Sequence, residues 1–355
     1  MTEVAILGAG HGGLAAAADL AERDHKIRLY NRSPEPLRAI ERNGGIRMTG
    51  ALGTGVASLQ RVTTSLDEAV TGADAIVVVL PATAHAAIAS ALRDARTDAP
   101  IILNPGHMCG SLNARRLLQP TRPLAELGTL TYISRSTALG AVDVYLRATG
   151  IPYAADDAAA ALVDELFPDQ RRATHPMEPW FWDVNMVLHP PGMILGAARI
   201  EATGGDFHFY GNGITSSVEA VMTRLDEERI AVARGFGVEV PSLAASMAVI
   251  GTAVEGAARE GRLGDAIRGG AANAAIKAPP RLDHRYLHED IPFGLVPLVA
   301  LGRIGGVSTP VADALIELAQ AITGRAYREE GLDQRALGIA GATVEEVVTI
   351  AERRA

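Results

Sequence analysis

A histidine in an otherwise apolar stretch is the first residue whose surroundings suggest chemistry. The stretch Asn185–Gly192 reads NMVLHPPG, with His189 among apolar side chains. Imidazole has an ordinary pKa of about 6.5, which suits proton transfer at neutral pH. On a helix arriving through Trp180–Trp182, Asn185 and His189 would share one face, and the proline pair would end that helix. A histidine at a helix end can also be a cap or a satisfied core group, so this stretch leaves both interpretations open.

A glycine-rich turn near the N-terminus is the second feature with chemical meaning. It follows the apolar run Val4–Leu7, precedes an alanine-rich segment that favours helix, and consists of Gly8, Ala9, Gly10, His11, Gly12 and Gly13. In a GxGxxG turn between strand and helix, the glycines permit the bend, the approach of a pyrophosphate and close helix packing. A second strand, Lys26–Tyr30, follows at the distance of a βαβ unit. We therefore expect the turn to bind a dinucleotide.

The end of the second strand indicates which dinucleotide fits. A carboxylate about 20 residues after the glycines would bond the ribose 2′-hydroxyl of NAD, whereas an arginine accommodates the 2′-phosphate of NADP. Here the strand is followed by Asn31, Arg32 and Ser33, with no carboxylate. Arg32 offers a charged fork and Ser33 a hydroxyl. We expect NADP(H) in preference to NAD(H); the alternative is that Arg32 is a solvated loop residue.

The ends of two later strands supply the remaining expected cofactor contacts. Ala75–Leu80 and Ile101–Leu103 have the apolar composition of buried parallel strands. In a doubly wound sheet, the loops at the carboxyl ends of such strands border the cofactor. The expected contacts there are Leu80, Pro81 and Asn104. His107 and Cys109 lie in the loop after Asn104, but neither has an evident partner for nucleophilic chemistry.

The chain is long enough for two domains. At 355 residues it exceeds the size at which a single core stops growing. Up to residue 178 strand-like and helical runs alternate, which predicts an α/β Rossmann-type doubly wound domain over residues 1–178. Helical spacing dominates afterwards, as in Thr215–Phe236, where Asp226 and Arg229 are expected on the polar side. Residues 179–355 are therefore predicted to form a mostly α-helical substrate domain.

The amino-acid composition argues against several classes of binding partner. The formal charge of −8, without a Lys/Arg-rich run, argues against nucleic acid and membrane surfaces, and the apolar runs are too short to span a bilayer. The single cysteine, Cys109, excludes an internal disulfide and a thiolate metal cluster, and we expect no metal. The N-terminus lacks a basic, cleavable apolar leader. We expect a cytoplasmic protein that acts on small molecules and could assemble as a homodimer.

A charged segment between apolar, proline-rich flanks is the third candidate for function. It spans Pro279–Gly294 and contains two arginines, two histidines and three carboxylates. A solvated surface loop is one interpretation. The flanks favour a position on or within the core, where charges must be paired and where a binding pocket can use them.

Five motifs together resemble the opine dehydrogenase family of octopine and nopaline dehydrogenase type. They are Gly8–Gly13, Asn104–Gly106, Asn185–Pro190, Gly205–Tyr210 and Arg285–Pro292. The resemblance covers almost the whole chain, and the last motif is the most specific. It implies a Rossmann domain joined to an α-helical domain. The sequence departs from the family pattern at His107, where arginine is common.

The resemblance also implies roles for individual side chains. The histidine matching His189 is the family's general acid and base, and the aspartate matching Asp290 holds it. The arginine matching Arg285 binds the carboxylate of the 2-oxo acid. An aspartate on the far ring nitrogen would fix the tautomer of His189, and an arginine can grip a carboxylate with two hydrogen bonds. We expect Asn185 to hydrogen-bond substrate or the nicotinamide amide.

The expected reaction is the reductive condensation of an amino acid or amine with a 2-oxo acid through an imine, with hydride delivered by NADPH to the imine carbon. An NADPH-dependent reductase that converts 2-oxo acids to 2-hydroxy acids would use the same two-domain plan and the same histidine. A non-catalytic NADP-binding sensor is a third hypothesis, since fold alone does not determine function. Dependence of NADPH oxidation on an amine separates the first two.

Overall fold

The computed structural model describes residues 1–118, 122–274 and 276–352, and the chain divides into two compact units. Of the described residues, unit 1 comprises Met1–Gly106 and those within 113–173, and unit 2 comprises His107–Leu112 and those within 174–352. The domain boundary between residues 178 and 179 stays a prediction, and the last residues of the expected second domain, 353–355, lie outside the described residues. The loop His107–Leu112, expected in the first domain, instead packs with unit 2.

Unit 1 is built from alternating strands and helices. Its strands are β1 (Glu3–Leu7), β2 (Lys26–Tyr30), β3 (Ile46–Gly50), β4 (Gly55–Ala57), β5 (Arg61–Thr63), β6 (Ala75–Val78), β7 (Ile101–Leu103), β8 (Leu124–Leu127), β9 (Tyr132–Ala138), β10 (Ala141–Arg147), β11 (Pro152–Ala155) and β12 (Arg171–Arg172). The helices of this part of the chain are α1 (His11–Glu22), α2 (Pro34–Asn43), α3 (Leu66–Val70), α4 (Ala82–Asp94), α5 (Gly110–Leu117) and α6 (Asp157–Leu166).

Two sheets order these strands. The larger has eight strands in the order β12-β11-β8-β7-β6-β1-β2-β5, and the smaller has four in the order β4-β3-β10-β9. In the larger sheet β1 pairs in parallel with β2 on one side and with β6 on the other. The chain order therefore reverses at β1, and ligands of doubly wound sheets bind at the carboxyl end of such a point. Residues 4–7 of β1 and all of β6 are fully buried and apolar, as sheets covered on both faces require.

Unit 2 is helical. Its helices are α7 (Glu178–Phe181), α8 (Asn185–Leu195), α9 (Ala197–Thr203), α10 (Phe209–Gly213), α11 (Ser216–Gly235), α12 (Leu243–Ile250), α13 (Glu255–Arg259), α14 (Leu263–Arg268), α15 (Ala271–Ala274), α16 (Arg285–His288), α17 (Val296–Ile304), α18 (Pro310–Thr323), α19 (Tyr327–Glu330) and α20 (Val344–Glu352). A π-helical turn, Ile291–Leu295, joins α16 to α17. The predicted fold class, a Rossmann-type α/β domain followed by a mostly α-helical domain, is confirmed.

Two expectations for unit 2 were wrong. The tryptophan-rich approach to His189 is a separate short helix, α7, and α8 begins at Asn185. The proline pair does not end α8, which continues to Leu195. Pro190 and Pro191 lack the N–H groups that would bond Met186 and Val187, so the helix loses two internal bonds there without stopping.

The polar face expected for α11 is also partly buried. Arg229 is 0% exposed and Asp226 is 6% exposed, and they form an ion pair one helical turn apart. Nη2 of Arg229 also donates a hydrogen bond to the carbonyl of Pro241 at 2.7 Å. Spacing alone assigned these charges to solvent, whereas their mutual pairing makes burial possible. No helix in the described parts of the chain is long and apolar enough to cross a membrane.

Candidate active site

The glycine-rich turn of unit 1 has the geometry that a dinucleotide needs. Gly8 has φ of +118°, and a Cβ there would lie 2.3 Å from the carbonyl oxygen of Val79. A Cβ on Gly13 would lie 1.9 Å from the carbonyl oxygen of Gly8, so the start of α1 packs directly on the turn. A Cβ on Gly10 would meet nothing within 4 Å, and this exposed residue precedes the N-terminus of α1. The turn therefore fits a pyrophosphate at the helix N-terminus.

The other turn residues and the end of β2 stabilise this arrangement. Asn31 accepts a hydrogen bond from the backbone N–H of Ala9 at 3.1 Å and donates to the carbonyl of Ser33 at 2.8 Å. Its side chain thus connects the turn to the loop after β2. His11 begins α1, and Gly12 is packed against Leu130.

Arg32 and Ser33 are exposed, and Ser33 is the N-cap residue of α2 but makes no side-chain cap bond. A guanidinium, a hydroxyl and a helix N-terminus therefore lie together beyond β2. A positive charge, a hydroxyl and a helix N-terminus together can bind an anionic group.

The remaining expected cofactor residues differ in accessibility. Leu80 is partly buried and Pro81 is exposed, and both follow β6 directly. Asn104, by contrast, is fully buried, and its amide donates to the Thr131 hydroxyl at 2.8 Å and accepts from the Thr131 backbone N–H at 3.2 Å. The Asn104 side chain therefore holds the loop after β7 in place, which the sequence pattern did not distinguish from a cofactor contact.

His189 and Asp290 form the central pair of unit 2. His189 lies on α8 and is 6% exposed, and Asp290, which precedes the π-helical turn, is 3% exposed. Their atoms Nδ1 and Oδ2 are 2.6 Å apart. The carboxylate accepts, so Nδ1 carries the hydrogen and Nε2 is the nitrogen that exchanges protons. Gly294 permits this approach, because a Cβ there would lie 2.6 Å from the Cβ of Met186 on α8.

Aromatic side chains fix the plane of the His189 ring. Tyr286 stacks on it with centroids 3.6 Å apart and planes 9° apart. The hydroxyl of Tyr210 lies 2.9 Å from Nε2, and with neutral imidazole the hydroxyl is the donor. Phe209 packs beside the ring at 6.2 Å, and Gly192 leaves room for it. The ring is held on one face and at both nitrogens.

Acidic neighbours control the charge of the pair. Burial raises the pKa of Asp290 well above its usual value, and the charges of Glu289 and Asp183 raise it further. The positive charges of His107 and Arg285 oppose this effect. The pKa of the His189–Asp290 pair therefore depends on the charges of Asp183, Glu289, His107 and Arg285.

Arg285 and Asn185 lie at the ends of two helices beside this pair. The Arg285 side chain is 51% exposed, and its Nη1 is 3.6 Å from Oε2 of Glu289. A half-exposed guanidinium held on one side by a carboxylate can still bind a second carboxylate. Asn185 is the first residue of α8, partly buried, one helical turn before His189.

Several residues around the pair were not assigned to the site from the sequence. Tyr210 was expected in the substrate pocket or the core, and Phe209 and Tyr286 had no expected individual role. His107 and Asp183 lie close to Glu289, as described below. The sequence could have indicated a site role for Tyr210 and Tyr286, because both belong to the motifs that carry the family resemblance. For Asp183, the sequence shows only an aspartate between tryptophan and valine, and its burial is known from the structure alone.

Comparisons with known proteins agree with this geometry. The family model described as "NAD/NADP octopine/nopaline dehydrogenase, alpha-helical domain" matches residues 172–323, and that described as "NAD-dependent glycerol-3-phosphate dehydrogenase N-terminus" matches residues 3–105. An opine dehydrogenase of Arthrobacter sp. (strain 1C) is 33% identical over 357 residues, covering 96% of each chain. The chain belongs to the opine dehydrogenase family. It is thus an NAD(P)-dependent oxidoreductase that acts on CH–NH donors.

More distant members of the opine dehydrogenase family match over similar lengths. Protein ocs of Agrobacterium tumefaciens (strain Ach5) is 24% identical over 98% of both chains. The solved structure of octopine dehydrogenase with NADH and L-arginine has a TM-score of 0.77 at 20% identity and covers 100% of both chains. Yersinopine dehydrogenase with NADP+ bound has a TM-score of 0.72 at 16% identity, covering 99% of this chain and 98% of the other. At such identities the structural likeness concerns the fold.

Proposed function

We propose that this opine dehydrogenase joins the amine of an amino acid to the keto carbon of a 2-oxo acid, with NADPH as the preferred reductant. The observation that carries the proposal is the buried His189–Asp290 pair, 2.6 Å apart. A carboxylate on Nδ1 leaves Nε2 as a general acid and base near neutral pH, which such a condensation requires.

The reaction divides into steps that need proton transfer and one that needs hydride. The amine adds to the carbonyl carbon, and His189 accepts the proton that the nitrogen loses. The carbonyl oxygen takes up one proton from solvent to become a hydroxyl, and His189 returns its proton to that hydroxyl, which leaves as water. The nitrogen keeps one hydrogen, so the product of this step is a protonated imine. When bound, the reduced nicotinamide supplies the hydride that converts the imine carbon to a secondary amine carbon. Asp290 keeps Nδ1–H in place throughout, so that only Nε2 exchanges protons.

Arg285 and Asn185 are proposed to position the substrates. The exposed side of the Arg285 guanidinium would bind the carboxylate of the 2-oxo acid through two hydrogen bonds. Asn185, one helical turn before His189, would hydrogen-bond substrate or the nicotinamide amide. Such fixed contacts reduce the entropic cost of bringing amine and ketone together.

The preference for NADPH is proposed from the loop after β2. Arg32 is exposed and Ser33 leaves its hydroxyl without a cap bond, so both can contact a 2′-phosphate. Asn31 is occupied with the turn itself, and we assign it an indirect role. Gly8 to Gly13 would bind the pyrophosphate, with Leu80 and Pro81 beside the cofactor.

A substrate panel tests the proposal directly. The purified enzyme is mixed with NADPH or NADH, one of several 2-oxo acids and one of several amino acids, and the loss of nicotinamide absorbance is followed. We expect oxidation that requires both the 2-oxo acid and the amine, and that is faster with NADPH at low concentration. Oxidation with the 2-oxo acid alone would instead identify a 2-hydroxy-acid-forming reductase. Tight NADPH binding without turnover for any pair would contradict both.

A further inference from the structure

His107 is a buried histidine outside the proposed reaction. It begins the loop His107–Leu112, which packs with unit 2 although unit 1 residues flank it on both sides. His107 has φ of +63°, in the left-handed region, and is 6% exposed. The same loop is fixed to α7, because Trp180 Nε1 donates to the Ser111 hydroxyl at 3.0 Å.

Both ring nitrogens of His107 face carboxylates. Nε2 lies 3.0 Å from Oε1 of Glu289, and Nδ1 lies 3.5 Å from Oδ2 of Asp183. Ionised carboxylates only accept hydrogen bonds, and neutral imidazole has a single N–H to donate. A carboxylate at hydrogen-bond distance from Nε2 and a second carboxylate at ion-pair distance from Nδ1 therefore match the doubly protonated ring.

The charge of the surrounding group leads to the same conclusion. Asp183, Glu289 and Asp290 are all 4% exposed or less. Three buried negative charges are costly without positive partners. Among the described residues of unit 2, Asp183 and Glu289 contact His107, and Asp290, Arg285 and His189 belong to the same charged group. Arg285 is half exposed, so a buried positive charge must come from imidazole.

We propose that His107 is an imidazolium whose charge, held between Asp183 and Glu289, keeps Asp290 ionised beside His189. His107 is thus a positioning residue that acts through Asp290, and it touches neither substrate nor cofactor in this role. The inference deepens the proposed function and rests on it for its kinetic test.

Electrostatics in this group supports the assignment. Burial by itself lowers the pKa of His107, but the negative charges of Glu289 and Asp183 and the hydrogen bond to Glu289 outweigh burial and raise the pKa well above the usual value. His107 in turn is one of the charges that lower the pKa of Asp290. If the charge of His107 were lost, protons would be held more tightly by the His189–Asp290 pair.

Two substitutions at one position separate charge from structure. His107→Gln keeps a polar side chain and removes the charge, whereas His107→Arg keeps the charge at all working pH values. The readout is kcat/KM against pH, with saturating NADPH and a substrate pair found active in the panel. His208→Gln is the matched control, because His208 is an exposed histidine of the same unit.

For His107→Gln we expect the apparent pKa of the His189–Asp290 pair to rise by about 1–2 units, the shift for one charge at close range at an effective dielectric of about 20. At pH values below the shifted pKa this corresponds to a loss of up to about 10–100-fold in kcat/KM. His107→Arg should retain the wild-type profile. Loss of activity in both variants without a pKa shift would show a purely structural role and overturn the proposal, as would a wild-type profile in His107→Gln.

An NMR measurement that needs no catalytic turnover tests the charge of His107 independently of the proposed function. In protein labelled with ¹⁵N-histidine, the His107 resonances are assigned by their absence in His107→Gln. Both ring nitrogens should remain protonated at pH values well above the ordinary imidazole pKa of about 6.5. A His107 ring that titrates near or below its ordinary pKa of about 6.5 would overturn the proposal even if the enzyme is active. If no substrate pair is turned over, this spectrum still decides the charge of His107.

Discussion

His189 Nδ1 and Asp290 Oδ2 are 2.6 Å apart although 101 residues separate them in the chain. One residue lies on α8 and the other at the start of the π-helical turn after α16. π-helical turns within helical segments are frequent at functional sites. Here the turn aims a buried carboxylate at the ring of the proposed proton carrier.

The pair should act as one unit in catalysis. We expect His189→Ala to lower kcat by about 10²–10⁴-fold, the usual contribution of a general acid and base. Asp290→Ala should also lower kcat, and the double variant should be no slower than His189→Ala, since effects within a unit are not additive. Steady-state kinetics on the four proteins measures this, with NADPH affinity as the control for folding. Additive losses would show that the two residues act independently.

Removing the Tyr210 hydroxyl should change the pH profile more than the rate. The hydroxyl lies 2.9 Å from Nε2 of His189 and stabilises the neutral ring. In Tyr210→Phe we expect the apparent pKa in kcat/KM to rise by up to about one unit, the equivalent of one hydrogen bond. Tyr145→Phe, on an exposed position of β10, is the control. A downward shift would contradict the donor role of the hydroxyl.

Two glycines of the same turn should respond differently to alanine. A Cβ at Gly10 meets nothing within 4 Å, whereas one at Gly13 would lie 1.9 Å from the Gly8 carbonyl oxygen. Gly10→Ala should leave the free energy of unfolding within about 0.5 kcal/mol of wild type and weaken NADPH binding at least about tenfold. Gly13→Ala should lower stability. Denaturation and cofactor fluorescence titration measure both; unchanged NADPH affinity in Gly10→Ala would place the pyrophosphate elsewhere.

Arg32 should determine the choice between the two cofactors. Its exposed guanidinium is available to a 2′-phosphate, and a charge-assisted hydrogen bond contributes about 1.5–3 kcal/mol. Arg32→Ala should raise the KM for NADPH by about 10–100-fold with little effect on that for NADH. Arg38→Ala, an exposed arginine on the following helix, serves as control. An equal increase in KM for NADPH and NADH would contradict the proposed preference for NADPH.

The charge of His107 should make the free energy of unfolding depend on pH. Its pKa is higher in the folded than in the unfolded chain, so its stabilisation is fully present below the unfolded pKa of about 6.5 and is lost as pH rises through the folded pKa. The urea midpoint of wild type should therefore exceed that of His107→Gln most at low pH, and the difference should shrink as pH rises. A difference that stays constant with pH would indicate packing instead of charge.

Local patterns in the sequence determined unit 1 well. The strand β1, the glycine turn, β2 and the residues after β2 lie within about 30 residues of each other, and their spacing follows from the period of strand and helix. The α-helical character of unit 2 followed from the same periodicity, and His189 and Asp290 were found through motifs. The end of α8 was misjudged, because prolines remove hydrogen bonds but packing can still continue a helix through them.

Only the tertiary structure decided which side chains meet. Asn104 and His107 lie three positions apart in one loop, yet the first is bonded to Thr131 and the second lies between Asp183 and Glu289. Asp226 and Arg229 have the composition of a solvated helix face and are nevertheless buried as a pair. Spacing along the chain defines the face on which a charge lies, but whether that face is buried depends on partners from distant segments. The sequence therefore identified the family, the turn and the histidine, and the fold alone assembled the charges around that histidine.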